Sequence, residues 1–344
     1  MIARIAAAVV VAGLGYVYLS IQPPPPKICG TPGGPPVTSP RVKLEDGRHL
    51  AYKERGVAKE DAEHKIIVAH GLGDSKDFNL PLSEEFMKEH RIYLLSFDRA
   101  GYGESDPRPT RSVKSEAFDI EELADKLQIG PKFVVVGISM GAYSVYSCLK
   151  YIPHRISSAA LVVPVVNYWW KCLPAKLAKE SFGKMLIQDQ FAFMIAHHTP
   201  WLLNWWMTQK WFPSLSVLQG KLDAFSDSDL EILKQTAAGP QLSQEKPTQQ
   251  GVHECLHRDL IVGFGDWGFD PTDISSNALV SNGSIQIHLW QAYEDRLIPY
   301  KVNRHLSEQL PWIKYHEVPD AGHLLIYNAT FCEAIFKSLV EPNS

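Results

Sequence analysis

Apolar positions along the chain fall into short runs bounded by polar, glycine-rich turns, and these runs alternate with helical patterns. Lys65-Ile66-Ile67-Val68-Ala69, Ile92-Tyr93-Leu94-Leu95-Ser96-Phe97 and Phe133-Val134-Val135-Val136-Gly137-Ile138 read as strands with little polar relief. The third of them runs into a helical-looking segment, Ala142 to Ile152. Ala159 to Val166 is another apolar run, Ile285 to Trp290 alternates, and Trp312 to Val318 reads as the last strand. Near the N-terminus, Asp46-Gly47 marks a turn between two strand-like runs. From Val165 to about Thr272 the strand pattern breaks, and that span holds Trp169, Trp170, Trp201, Trp205, Trp206, Trp211 and Trp267.

The junction at Gly137-Ile138-Ser139-Met140-Gly141 carries the chemistry. G-x-S-x-G between a strand and a helix is the arrangement that forces a serine into a sharp turn and exposes its hydroxyl above the strand end. Gly137 and Gly141 must lack bulk where strand and helix nearly touch. The N–H of Met140 then lies at a helix N-terminus, where negative charge is favoured.

On these residues the chain resembles the α/β-hydrolase superfamily, and further motifs extend the resemblance. His70-Gly71-Leu72-Gly73-Asp74 is similar to the family's H-G-x segment after the third strand, which implies that the N–H groups of Leu72 and Met140 form an oxyanion hole. His70 itself reads as a hydrogen-bonded residue that shapes the loop. Asp98-Arg99-Ala100-Gly101-Tyr102-Gly103-Glu104-Ser105 resembles the family's D-x-R-G-x-G-x-S loop, with a structural role in bracing the serine turn. Tyr293-Glu294-Asp295-Arg296-Leu297-Ile298-Pro299 resembles its acid segment, aligning Asp295 as the acid with Glu294 as the one close competitor. Pro319-Asp320-Ala321-Gly322-His323 resembles its closing G-H, which makes His323 the base and leaves Asp320 to the turn. The implied fold is an eight-stranded, mostly parallel sheet flanked by helices, with a helical cap over residues 167–272 inserted after the sixth strand.

A Ser139–His323–Asp295 triad would attack an acyl carbon, since a serine hydroxyl needs a base and the base needs an orienting carboxylate. Relatives that displace alkyl groups place an aspartate at the nucleophile position. The expected activity is therefore hydrolysis of an ester, thioester, amide or lactone, with lyases and carbon–carbon hydrolases of the same triad left open. An apolar, aromatic-rich underside of the cap would favour a small hydrophobic acyl substrate. The alternative is a ligand-sensing or scaffolding protein that keeps the fold without turnover.

Composition adds exclusions. The formal charge of −4 with no basic run leaves no nucleic-acid footprint. Cys29, Cys148, Cys172, Cys255 and Cys332 lack paired spacing, and neither His197-His198 nor His253/His257 has companions at metal-ligand spacing. No metal and no cofactor are expected.

The first residues point elsewhere. Ile5 to Ile21 is almost wholly apolar and, as a helix, rises about 25 Å; extension to Met1 with Arg4 snorkelling approaches a bilayer core of ~30 Å. We read residues 1–22 as an uncleaved single-pass anchor in a lipid bilayer, of undetermined orientation, in the endoplasmic reticulum or another endomembrane; a cleaved signal peptide is the competing reading. Residues 23–40, beginning with Pro23-Pro24-Pro25-Pro26, read as a semi-rigid spacer between this anchor and a hydrolase domain over 41–344. Segments 26–30 and 40–52 also resemble plant members of the superfamily with N-terminal anchors. The stretch 237–251 reads as a mobile loop, and Asn282 and Asn328 head two glycosylation sequons.

Overall fold

The computed structural model describes residues 2–235, 245–275 and 285–341. The strands are β1 (Arg41–Lys43), β2 (His49–Gly56), β3 (His64–Ala69), β4 (Ile92–Phe97), β5 (Phe133–Ile138), β6 (Ile156–Val162), β7 (Gln286–Ala292) and β8 (Ile313–Val318). They form one eight-stranded sheet in the order β1-β2-β4-β3-β5-β6-β7-β8. β2 pairs antiparallel with both β1 and β4, and every other pair is parallel. The helices are α1 (Ile2–Ile21), α2 (Glu84–Glu89), α3 (Val113–Lys126), α4 (Ala142–Tyr151), α5 (Ala175–Phe182), α6 (Ile187–His198), α7 (Leu203–Thr208), α8 (Asp227–Gln235), α9 (Arg258–Phe264), α10 (Tyr300–Gln309) and α11 (Ala329–Val340).

Strand periodicity sorts the core into two layers. Ile67, Ala69, Leu95 and Val135 point to the face covered by α3, α4 and α10, where Ile120, Leu123, Tyr143, Leu149 and Leu306 meet them. Their neighbours Ile66, Val68, Leu94, Val134 and Val136 point to the other face, against Met87 of α2 and Ile335 and Phe336 of α11. Strands buried on both faces explain the near-continuous apolar runs in the sequence. The sixth strand runs earlier than Ala159 to Val166. It ends at Val162 because Val163 takes φ 42°, a left-handed conformation that a β-branched residue adopts only under strong constraint. Helices α5 to α9 occupy the interval between β6 and β7.

The apolar N-terminal run is helical, but it does not make the anchor expected of it. Among the described residues no helix is long and apolar enough to cross a membrane, which overturns the single-pass, endomembrane assignment of residues 1–22. The 20 residues of α1 rise only about 30 Å, so spanning would take the whole helix. Arg4 lies within its first turn, while at the other end Ile21 is buried against the protein and its carbonyl accepts from Asn204 Nδ2 of α7 at 3.4 Å.

The proline-rich stretch is not a free spacer either. Lys27 N–H donates to the Gln250 carbonyl at 2.8 Å, and Cys29 N–H donates to Gln250 Oε1 at 2.9 Å. The backbone N–H groups of Thr38 and Ser39 donate to Glu104 Oε2 at 2.8 and 3.0 Å. Residues 27–39 thus form a strap across the loop that carries Asp98 and Arg99. Residues 237–244 of the expected mobile loop lie outside the described residues, as does Asn282. The rest of that loop is pinned: Gln250 is fully buried and donates to the carbonyls of Gly103 and Ser105 at 3.0 and 2.7 Å.

The loop that the strap crosses also carries Arg99, which enters a buried charge network. Arg99 donates to both oxygens of Asp259 at 2.6 Å, and Arg111 donates to Glu116 at 2.6 Å and to Asp259 at 3.2 Å. The hydroxyls of Tyr102 and Tyr143 also donate to Asp259. Burial opposes ionisation of Asp259, but the two guanidinium groups outweigh it and hold the carboxyl at about 2. Removing one partner leaves a buried charge uncompensated, which typically costs 3–5 kcal/mol. Asp259→Ala should therefore lose about 3–5 kcal/mol of stability in urea unfolding; a loss below about 1 kcal/mol would show that the network holds nothing together.

Candidate active site

β5 ends at Ile138 and the chain turns at once into a short 3-10 turn, Ser139–Gly141, that leads into α4. Ser139 has φ 51°, a conformation that costs on the order of 1–3 kcal/mol and persists only where the surroundings impose it. The flanking glycines show what imposes it. A Cβ on Gly141 would lie 2.3 Å from the Ala69 carbonyl oxygen, and one on Gly137 would lie 2.6 Å from the Gly141 carbonyl oxygen. Strand and helix pass so close that neither position has room for a side chain.

Loops after the last two strands bring the other two residues to this turn. His323 Nε2 lies 2.9 Å from Ser139 Oγ, and His323 Nδ1 lies 2.8 Å from Asp295 Oδ2. Asp295 Oδ1 accepts from the N–H groups of Leu297 and Ile298 at 2.9 and 2.8 Å, so the carboxylate plane is set by the backbone of its own loop. Glu294, the competing acid, is exposed and makes no hydrogen bond to His323 among those of the described residues. Asp320 is exposed in the turn before His323. Leu72 and Met140 line the same cavity as Ser139 and His323. His70 is fully buried; its Nε2 accepts from Arg99 N–H at 3.1 Å and its Nδ1 lies 2.8 Å from the Gly71 carbonyl. Burial first, then the Arg99 charge, push it well below the usual imidazole range. It is a neutral brace for the loop.

One contributor is absent from the sequence reading. Asp229 of α8 is fully buried, and its carboxylate accepts from the backbone N–H groups of His323 at 3.1 Å and Leu324 at 2.7 Å. It also accepts from Ser226 N–H at 3.1 Å. A Cβ on Gly322 would lie 2.2 Å from Asp229 Oδ2, so the glycine before His323 makes room for this carboxylate. Ser226-Asp227-Ser228-Asp229 carries a visible capping-box signature, S-x-x-D. That signature predicts a helix start, not its docking onto a loop 94 residues away.

Electrostatics favour a basic imidazole at this point. Burial works against the His323 imidazolium, but the Asp295 charge, its hydrogen bond and the Asp229 charge outweigh it and raise the group above 6.5. Only neutral imidazole can accept a proton, so activity should fall with acid through a pKa above the ordinary imidazole value. The pH dependence of kcat/KM checks this, and an acid limb below 6.5 would contradict it. The raised value also makes the charged pair a source of stability that is full below 6.5 and lost as pH rises through the folded-state value.

The cavity above Ser139 offers about 140 Å³. Val165 and Val166 form one wall, while Met185, Phe193, Leu215 and Phe264 come from the segment between β6 and β7. Its lining is apolar as the sequence implied, but the tryptophans are not the reason. Among the residues that line it there is none. Trp170 and Trp267 pack with Tyr146 at ring distances of 5.9 and 6.0 Å, Trp169 stacks on His197 at 4.1 Å, and Trp201 and Trp211 are exposed. Fully buried Cys148 packs within α4, and all five cysteines are free thiols. Among the described residues no group of three or more His, Cys, Asp or Glu side chains could hold a metal ion. His257 is buried and held at about 3, chiefly by burial.

Comparison with known proteins agrees with this architecture. A family model of the alpha/beta hydrolase fold matches residues 65–330. No curated protein matches the sequence. Among solved structures, the enol-lactonase from Burkholderia xenovorans superposes with a TM-score of 0.59 at 15% identity, covering 87% of this chain and 97% of that one. A thermophilic esterase from Thermogutta terrifontis gives 0.56 at 17% identity, with 87% and 97% covered. An esterase from Exiguobacterium antarcticum gives 0.55 at 14%, with 87% and 98% covered. Identities this low speak for the fold alone. They lend no support to the narrower resemblance to plant members with N-terminal anchors.

Proposed function

The chain belongs to the α/β-hydrolase family, and from that premise we propose that it is a serine hydrolase that cleaves a hydrophobic ester or related acyl bond through an acyl-enzyme. The observation that carries this reading is the continuous hydrogen-bonded path from Ser139 through His323 to Asp295, opening into an apolar cavity. The likeness to one enol-lactonase and two esterases is consistent with acyl chemistry but names no substrate.

In this mechanism His323 Nε2 takes the Ser139 proton as Oγ attacks the acyl carbon. Asp295 holds the proton on Nδ1 and stabilises the imidazolium that forms. The N–H groups of Leu72 and Met140 receive the oxyanion of the tetrahedral intermediate, a contribution typically worth about 10²–10³ in rate per donor. His323 then protonates the leaving group, and a water molecule, activated by the same imidazole, releases the acid. Helices α5 to α9 act as a cap, and their apolar side chains hold the acyl or alcohol portion and exclude bulk water.

A fluorophosphonate probe followed by a panel of p-nitrophenyl esters of increasing chain length tests the reading. We expect stoichiometric labelling at Ser139, and turnover that rises with chain length until the cavity is filled. An unlabelled protein with no ester turnover would sink the proposal.

A further inference from the structure

The cavity is apolar except at a few points, and one of them has no part in the acyl-transfer scheme. Asp74 and Tyr327 both line it, beside Leu72, Ser139 and His323. Asp74 Oδ1 accepts from Ser75 N–H at 2.8 Å, and Oδ2 accepts from the Tyr327 hydroxyl at 2.8 Å. An ionised carboxylate has about four acceptor positions, so two remain for something in the cavity. The other acidic residue of the lining, Asp189, likewise accepts two hydrogen bonds, from Ser216 N–H at 2.6 Å and Ser216 Oγ–H at 2.5 Å, but it comes from the segment between β6 and β7, whereas Asp74 lies on the loop after β3 that carries Leu72. No lysine or arginine lines the cavity, and among the described residues Asp74 makes no salt bridge.

Burial outweighs its two hydrogen bonds and raises the Asp74 carboxyl to about 6. The wall of an apolar pocket therefore holds an under-compensated anion close to the nucleophile. A donor or a cation on the ligand would relieve that cost, whereas a second carboxylate would add to it.

We propose that Asp74, oriented by Tyr327, is a recognition residue that selects apolar substrates bearing a hydroxyl or ammonium group and rejects those bearing a carboxylate. The proposal rests on the reading of this cavity as the substrate site. It deepens that reading by giving the substrate a polarity: neutral or cationic, with a hydrogen-bond donor at the end that meets Asp74. Sites built to hydrogen-bond a polar group discriminate strongly against ligands lacking it, because the site's own group is left unpaired.

Hexylammonium, 1-hexanol and hexanoate, matched in chain length, test it as protectants of the full-length protein against fluorophosphonate labelling at about pH 8, where amine and carboxylates alike are charged. The same compounds are followed in parallel by their shift of Tm, which does not depend on the nucleophile. We expect hexylammonium to protect best and hexanoate worst. Asp74→Asn should weaken hexylammonium at least about tenfold and strengthen hexanoate. Tyr327→Phe, which keeps the carboxylate and removes one of its two donors, should by the same argument strengthen hexylammonium and weaken hexanoate, and it serves where Asp74→Asn does not fold. Identical constants for the three compounds, or constants unchanged by either variant, would overturn the proposal. Absence of labelling with the Tm order intact would instead overturn the assignment of Ser139 and leave the recognition role standing.

Discussion

Replacing Ser139 with alanine should lower turnover by about 10⁴–10⁶-fold while leaving the fold in place. The hydroxyl removed is the group that would form the acyl bond, and no neighbour can take over: His323 Nε2 is directed at Ser139 Oγ, 2.9 Å away. The cavity and the proposed oxyanion donors of Leu72 and Met140 stay intact, which is why residual rate above the uncatalysed reaction should persist. Stability should change little. Ser139 is partly exposed to the cavity, and alanine has to occupy the same φ of 51° that serine already does. Steady-state kinetics, thermal unfolding and fluorophosphonate labelling together decide the matter. A variant that still labels at the wild-type rate would remove Ser139 from the mechanism.

Asp295→Asn should cost about 10⁴ in kcat, the next largest effect, without loss of structure. In the present geometry Asp295 Oδ1 is held by the N–H groups of Leu297 and Ile298, so in the amide the oxygen must stay there and the NH₂ group must face His323. An NH₂ group donates to Nδ1, which forces the proton onto Nε2, the atom that has to accept from Ser139. The imidazole would then sit in place in the wrong tautomer. Glu294→Gln, one residue away and exposed, should stay within about twofold of the wild type. Comparable losses from the two variants, or a larger one from Glu294→Gln, would move the acid away from Asp295.

What could be read from sequence was local or tied to chain order. The turn at Ser139 is readable because strand, glycine, serine, glycine and helix follow one another within a few turns, and the steric demand that fixes them is a demand between neighbours. Asp295 and His323 could be named because each follows a strand at the place where the resemblance to the α/β-hydrolase superfamily puts its acid and its base. The sheet flanked by helices was expected through the resemblance that these motifs carry, and the near-continuous apolar runs marked its buried strands. An apolar run from Ile5 to Ile21 likewise sufficed to predict the helix α1.

Tertiary structure decided everything that depends on which distant segments meet. The N-terminal run becomes a membrane-spanning helix or not according to its usable length, and Ile21 is held on α7 by contacts invisible in the run itself. Proline-rich residues 27–39 look like a spacer because extended chain makes no bonds of its own; Gln250 and Glu104 supply those bonds from 221 and 66 residues away. Tryptophans announce packing but not direction, so the cavity is lined by Val165, Met185, Phe193 and their neighbours, with the indoles elsewhere. Arg99 meets Asp259 across 160 residues, and Asp229 meets the His323 loop across 94. A buried carboxylate is tolerable only where donors converge on it, and convergence of that kind is a property of the folded chain, since no local pattern encodes which backbone N–H will be near.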